Sequence, residues 1–97
     1  MSAPEPPAPM EVQAARTITD AAARARWGAW LCMTMGARGL KPTHVAERMT
    51  ALGAPVTRAG VEKWMGGTIP GANFVLTLAL VLDVLPVVVL RATEGKL

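Results

Sequence analysis

The sequence predicts an all-α protein of four to five short helices, on three observations. Apolar residues recur at i, i+3 and i+4 through successive segments, the period of a helix with one buried face. The bodies of those segments are rich in Ala, Leu, Met and Arg, all good helix formers. Glycines and prolines punctuate the segment ends. At 97 residues there is room for one domain and one modest core. With 52% of residues apolar, the chain is neither a disordered tail nor a low-complexity repeat.

The opening MSAPEPPAPMEV reads as a flexible or polyproline arm, and residues 1–15 are set apart on that basis. It has neither the basic start nor the apolar run of a secretory signal. The helical domain is expected over 16–90, with 91–97 as a C-terminal tail.

The first helix is expected to start near Thr17 to Asp20, where Thr17 with Asp20 resembles a capping box and Thr19 is the alternative cap. Ala23, Trp27, Leu31 and Met35 recur every fourth position, with Trp30 and Thr34 alongside, while Arg24, Arg26 and Arg38 lie off that stripe. Gly36 and Gly39 bracket its end. Pro42 opens the second helix, where its missing N–H costs nothing, and Val45, Met49 and Leu52 form its apolar face. Thr57 is the expected N-cap of a short third helix that turns Val61 and Trp64 inward and Arg58, Ala59, Glu62 and Lys63 outward. Gly66-Gly67 ends it through a left-handed residue. A helix this short is unstable alone and must lie on a partner. Gly60 within it is either a point of close approach or a weak spot. The fourth helix runs from Asn73 to about Val84. Pro86 to Leu90 is either a last short helix or an extended tail, since its run of valines is β-branched.

Phe74 to Leu90 is a nearly unbroken apolar run of about seventeen residues, at the short limit for a membrane span. Asp83 near its middle would cost roughly 2.5–3.5 kcal/mol on insertion, and Pro86 breaks the run. A core helix, a break and a second short element is the better reading.

The net charge of +3 is unevenly placed. Glu5 and Glu11 leave residues 1–15 at −2, whereas residues 16–72 carry eight Arg or Lys against Asp20, Glu47 and Glu62. Such a central excess attracts a polyanion. The single Cys32 cannot form an internal disulfide, and one Cys with one His cannot build a zinc site in one chain. Cys32 is expected to be a small buried or half-buried hydrophobe, His44 a surface residue, and the three Trp core fillers. No catalytic constellation or glycine-rich phosphate loop appears, so an enzyme is not expected, nor a cofactor or metal.

Arg38-Gly39-Leu40, Val45-Ala46-Glu47, Val56-Thr57-Arg58, Val61, Trp64, Gly67, Pro70, Leu78-Ala79 and Leu82 follow one another in a specific order and spacing. In these residues the chain resembles the lambda-repressor-like (Xre/Cro-type) helix-turn-helix family over roughly residues 20–90. It departs from that pattern at Lys41-Pro42, which stand where Ser-Gln is usual. Roughly five extra residues lie around Thr50 to Ala54, and Met65 replaces a Glu. Excisionase or MerR-like winged helices share the third-helix motif, but would continue into an Arg-bearing β-wing rather than an apolar helix.

The resemblance implies a sequence-specific DNA-binding transcriptional regulator, a cytoplasmic repressor of bacterial or phage origin. It would bind operator DNA as a dimer, with the third helix in the major groove. Arg58, Ala59, Glu62 and Lys63 would meet base edges, where Arg and Lys donate to guanine and Glu accepts from cytosine. For Glu62 the solvent-exposed reading is favoured, since phosphates repel it, and Arg58 and Lys63 have the alternative of merely solubilising the helix. Thr43, Thr57, Thr68 and Asn73 would meet phosphates. Leu76, Leu80 and Val81 occupy slots that the family usually keeps polar, and Val87 to Leu90 add apolar surface beyond them. A domain of this size cannot bury all of it. Leu76, Leu80, Val81, Val87 and Leu90 are therefore expected to form a two-fold homodimer interface. The alternative is an interaction module that binds a host or regulatory protein through that face.

Overall fold

The computed structural model describes residues 9–96, and among them the only regular elements are helices. The five helices are α1 (Pro9–Ala37), α2 (Pro42–Ala51), α3 (Arg58–Met65), α4 (Ala72–Leu82) and α5 (Pro86–Thr93). The all-α expectation holds, but α1 spans 29 residues and is not short. It begins at Pro9, so residues 9–15 are helical where an arm is expected. Proline is tolerated in a first helical turn, and Ala-rich sequence carries the helix onward. Residues 1–8 of that arm lie outside the described residues.

Trp27, Leu31 and Met35 of α1 are fully buried, and Trp30 stacks on Trp27 with ring centroids 5.6 Å apart. Val45 and Met49 of α2, Val61 and Trp64 of α3, and Leu78 and Leu82 of α4 complete the centre of the core. α3 packs on both α1 and α2, α4 packs on α2, and α5 folds back on α4 and α1. The short third helix thus has the partners it needs.

All five helices end alike. A residue with positive φ follows the last turn, and the next N–H reaches back five residues to a carbonyl. The bonds are Leu40 to Met35, Ala54 to Met49, Thr68 to Lys63, Val84 to Ala79 and Lys96 to Arg91, at 2.9–3.0 Å. Glycine fills the left-handed position in four of these ends, and Asp83, at φ 56°, fills it in α4. The apolar run from Phe74 to Leu90 is therefore two helices with a sharp break between them. No helix among the described residues is long and apolar enough to cross a membrane.

The second alternative for Pro86 to Leu90, an extended tail, is not adopted. Leu85 is extended at the N-cap, Pro86 sits in the first turn, and Val89 and Ala92 are buried three residues apart. Packing overrides the weak helix propensity of the valines. Nor are residues 91–96 a free tail. Arg91 to Thr93 belong to α5, and Arg26 Nη1 donates to the Gly95 carbonyl at 3.2 Å, closing the chain onto α1.

Val81 requires a correction. It is buried with only 8% exposure, not part of an outer face. The buried arc of α4 takes in Val75, Leu78, Ala79, Val81 and Leu82, wide enough to serve both α2 on one side and the returning α5 on the other.

Candidate nucleic-acid interface

The third helix is fixed at both ends. At its start the Gly60 N–H donates to Thr57 Oγ1 at 3.0 Å, the N-cap expected of a threonine there. Gly60 is a point of close approach, but to its own chain. A Cβ there would stand 2.9 Å from Val56 Cγ2 and 3.4 Å from Thr57 Oγ1. Thr50 Oγ1 donates to the Val56 carbonyl at 3.4 Å, tying the connection over 52–57 back to α2.

At its other end α3 meets α1 almost backbone to backbone. A Cβ on Gly28 would lie 2.6 Å from the Met65 carbonyl oxygen, and one on Gly67 would lie 3.2 Å from that of Arg24. Trp27 Nε1 donates to the Thr68 carbonyl at 3.0 Å, and Cys32 Sγ lies 3.7 Å from the Met65 carbonyl. Cys32 is exposed, not buried, because it sits on the rim of this crossing. Gly28 escapes a reading by periodicity. Its only signal is a glycine inside the otherwise strong helix former Arg-Trp-Gly-Ala-Trp-Leu.

Between these anchors Val61 and Trp64 point inward, and Trp64 packs against Phe74 with ring centroids 5.4 Å apart. Arg58, Ala59, Glu62 and Lys63 are all exposed on the outer face. Arg58 and Glu62 are not independent of each other. Arg58 Nε donates to Glu62 Oε1 at 2.8 Å across one turn, with the side chains 70% and 47% exposed. Lys63 makes no ion pair among the described residues.

The residues expected at phosphates are all exposed but stand in different places. Thr43 lines a shallow groove with Thr50, Val56 and Arg58 between α2 and the start of α3, and Glu47 lies on the same groove. Thr57 has one oxygen lone pair committed to its cap and keeps a hydroxyl proton to donate. Thr68 lines a second groove with Arg24, Gly67 and Ile69. Arg24 is thus a cation beside the candidate face that the sequence shows only as lying off the apolar stripe. Asn73, in the first turn of α4, lines neither groove. His44 is exposed, and its Nδ1 accepts from the Lys41 N–H at 3.2 Å, capping α2.

Of the residues expected at an interface, Leu76, Leu80, Val87 and Leu90 are all about half exposed or more. Leu85, 68% exposed at the turn between α4 and α5, joins them. Among the described residues no group of three or more His, Cys, Asp or Glu side chains stands close enough to hold a metal ion. No family model, curated protein or solved structure matches the chain.

Proposed function

We propose that the chain is a sequence-specific DNA-binding transcriptional regulator, a cytoplasmic repressor of bacterial or phage type that binds operator DNA as a homodimer through α3. The observation that carries the reading is the outer face of α3. Arg58, Ala59 and Lys63 are exposed on a helix whose inner face is buried and whose two ends are tied to α1 and α2. A rigidly held helix of this width enters a major groove, where Arg and Lys donate to guanine and a small Ala can touch a thymine methyl. Thr43 and Thr57 at the starts of α2 and α3, with Thr68 and Arg24 past the end of α3, are suited to phosphates on either side. The connection over 52–57 is longer than the three- to four-residue turn common in helix-turn-helix proteins. The docking angle of α3 would adjust to it.

A second reading rests on a different observation. Five large aliphatic side chains, Leu76, Leu80, Leu85, Val87 and Leu90, stand exposed on α4, α5 and the turn between them. That favours an interaction module for a host or regulatory protein. Selection from a pool of random duplex DNA at two salt concentrations separates the two. The repressor reading expects an enriched palindromic site whose binding weakens steeply with salt. Binding without enrichment would mean phosphate contact alone, and no binding at either salt would leave the interaction module.

A further inference from the structure

The carboxylate of Glu62 sits on the face that would meet a polyanion, where phosphates on both sides would repel it. The structure couples it to a cation instead, through the 2.8 Å bond from Arg58 Nε to Glu62 Oε1. A guanidinium carries five N–H donors in a planar fork, and this bond uses the one at Nε. Because the partners lie one turn apart on the same helix, the bond favours one reach of Arg58 and one plane for its fork. The Arg58 side chain is 70% exposed, and among the described residues no hydrogen bond takes the donors on Nη1 and Nη2. That pair is the one that can meet O6 and N7 of guanine together.

We propose that Glu62 is a positioning residue for base recognition: it holds the Arg58 fork so that its terminal edge faces one guanine in the major groove, and does not itself read a base. The inference rests on the DNA-binding reading of α3. It assigns unequal roles to the two cations of the helix. Arg58, held in one orientation, supplies discrimination. Lys63, without an ion-pair partner among the described residues, supplies attraction to any sequence.

The test uses the full chain, carrying no substitution or one of Arg58→Ala, Glu62→Ala and Glu62→Gln, in random-duplex selection followed by affinity measurement on matched sites. Circular dichroism checks that each variant is folded. The unsubstituted chain should enrich a site containing a guanine that Arg58→Ala no longer prefers. A bidentate contact of this kind is worth roughly five- to 150-fold in discrimination. Glu62→Ala should bind arbitrary duplexes at least as well as the unsubstituted chain, since a negative charge is gone, yet lose most of the preference for that guanine. Glu62→Gln keeps a carbonyl oxygen that can accept from Nε, and should retain more of the preference than Glu62→Ala.

Several outcomes overturn the proposal. Full guanine preference in Glu62→Ala would show that Arg58 needs no support. A lost preference at a different, cytosine, position would make Glu62 a reader in its own right. A uniform fall in affinity with an unchanged base preference would make its role structural. No enriched site for the unsubstituted chain would remove the DNA-binding reading itself, and the positioning role with it.

Discussion

At Gly28 a hydrogen in place of a methyl group sets how closely α1 approaches the end of α3. The Cβ of an alanine would stand 2.6 Å from the Met65 carbonyl, a backbone atom that cannot swing aside. Alanine would gain about 1 kcal/mol of helix propensity. Overpacking of this kind costs typically ~1–3 kcal/mol or more, and here it acts on backbone, so the cost prevails. Gly28→Ala should lower Tm by several degrees, given about 4–8 °C per kcal/mol for a domain of this size. A raised Tm would mean that the two helices do not touch there. Asp83 shows the opposite case. It holds a left-handed conformation with a negative charge beside the carbonyl end of α4, and both are unfavourable. Asp83→Asn removes the charge and keeps a residue tolerant of that conformation, for a gain of roughly 0.3–1 kcal/mol at low salt. Asp83→Gly relieves the conformation as well, offset in part by the greater freedom of glycine in the unfolded chain. Both should raise the urea midpoint, with the effect of Asp83→Asn fading as salt is added; an unmoved midpoint for both variants would deny any strain at this turn.

At the scale of the element, the integrity of α3 depends on its cap. Its eight residues are too few to hold a helix without tertiary support. Thr57→Ala leaves the Gly60 N–H without its acceptor and should destabilise the chain by about 1 kcal/mol. Thr57→Ser should lose far less, because it keeps the hydroxyl. Equal losses for the two, measured by chemical denaturation, would place the role of Thr57 in its methyl group instead. The same cap marks what the sequence makes legible. Thr57, Val61 and Trp64 can be placed from the sequence because cap chemistry and the helical period are local. The pairing of Arg58 with Glu62, opposite charges four apart, is just as local, yet from the sequence each is set at a base edge or in solvent and the two are not joined. Other features depend on which surfaces meet. Val81 changes from outer to buried because α5 returns over α4, and α5 is a helix because Val89 and Ala92 find a place in the core. Gly28 matters only where α1 crosses α3, which no periodicity within α1 reveals. The start of α1 at Pro9 is hidden by a proline-rich composition that suits an extended arm equally well.

For the whole molecule, the deciding question is what covers the aliphatic side chains that α4 and α5 leave in water. Leu76 and Leu80 lie one turn apart on α4, 60% and 64% exposed, while Val75, Leu78 and Leu82 on the same helix are in the core. The two sets of side chains are separable, so a charge on the outer set need not disturb the inner one. In a two-fold dimer each copy would cover the other's face and carry an α3 to half-sites about one DNA turn, ~34 Å, apart. The unsubstituted chain should then sediment at twice its monomer mass of 10.2 kDa. Leu76→Glu with Leu80→Glu should sediment as a monomer of unchanged helical content, because two like charges on each copy would be forced together without partners. That monomer should bind a single half-site as the unsubstituted chain does and lose the added affinity that a palindromic site confers through linkage. A monomeric mass for the unsubstituted chain, without DNA and with it, would remove the dimer and leave the face to a different protein. A dimer that survives both glutamates would place the two-fold axis elsewhere on the molecule, and Met33 of α1, 66% exposed beside the half-buried Trp30, is then the next to charge.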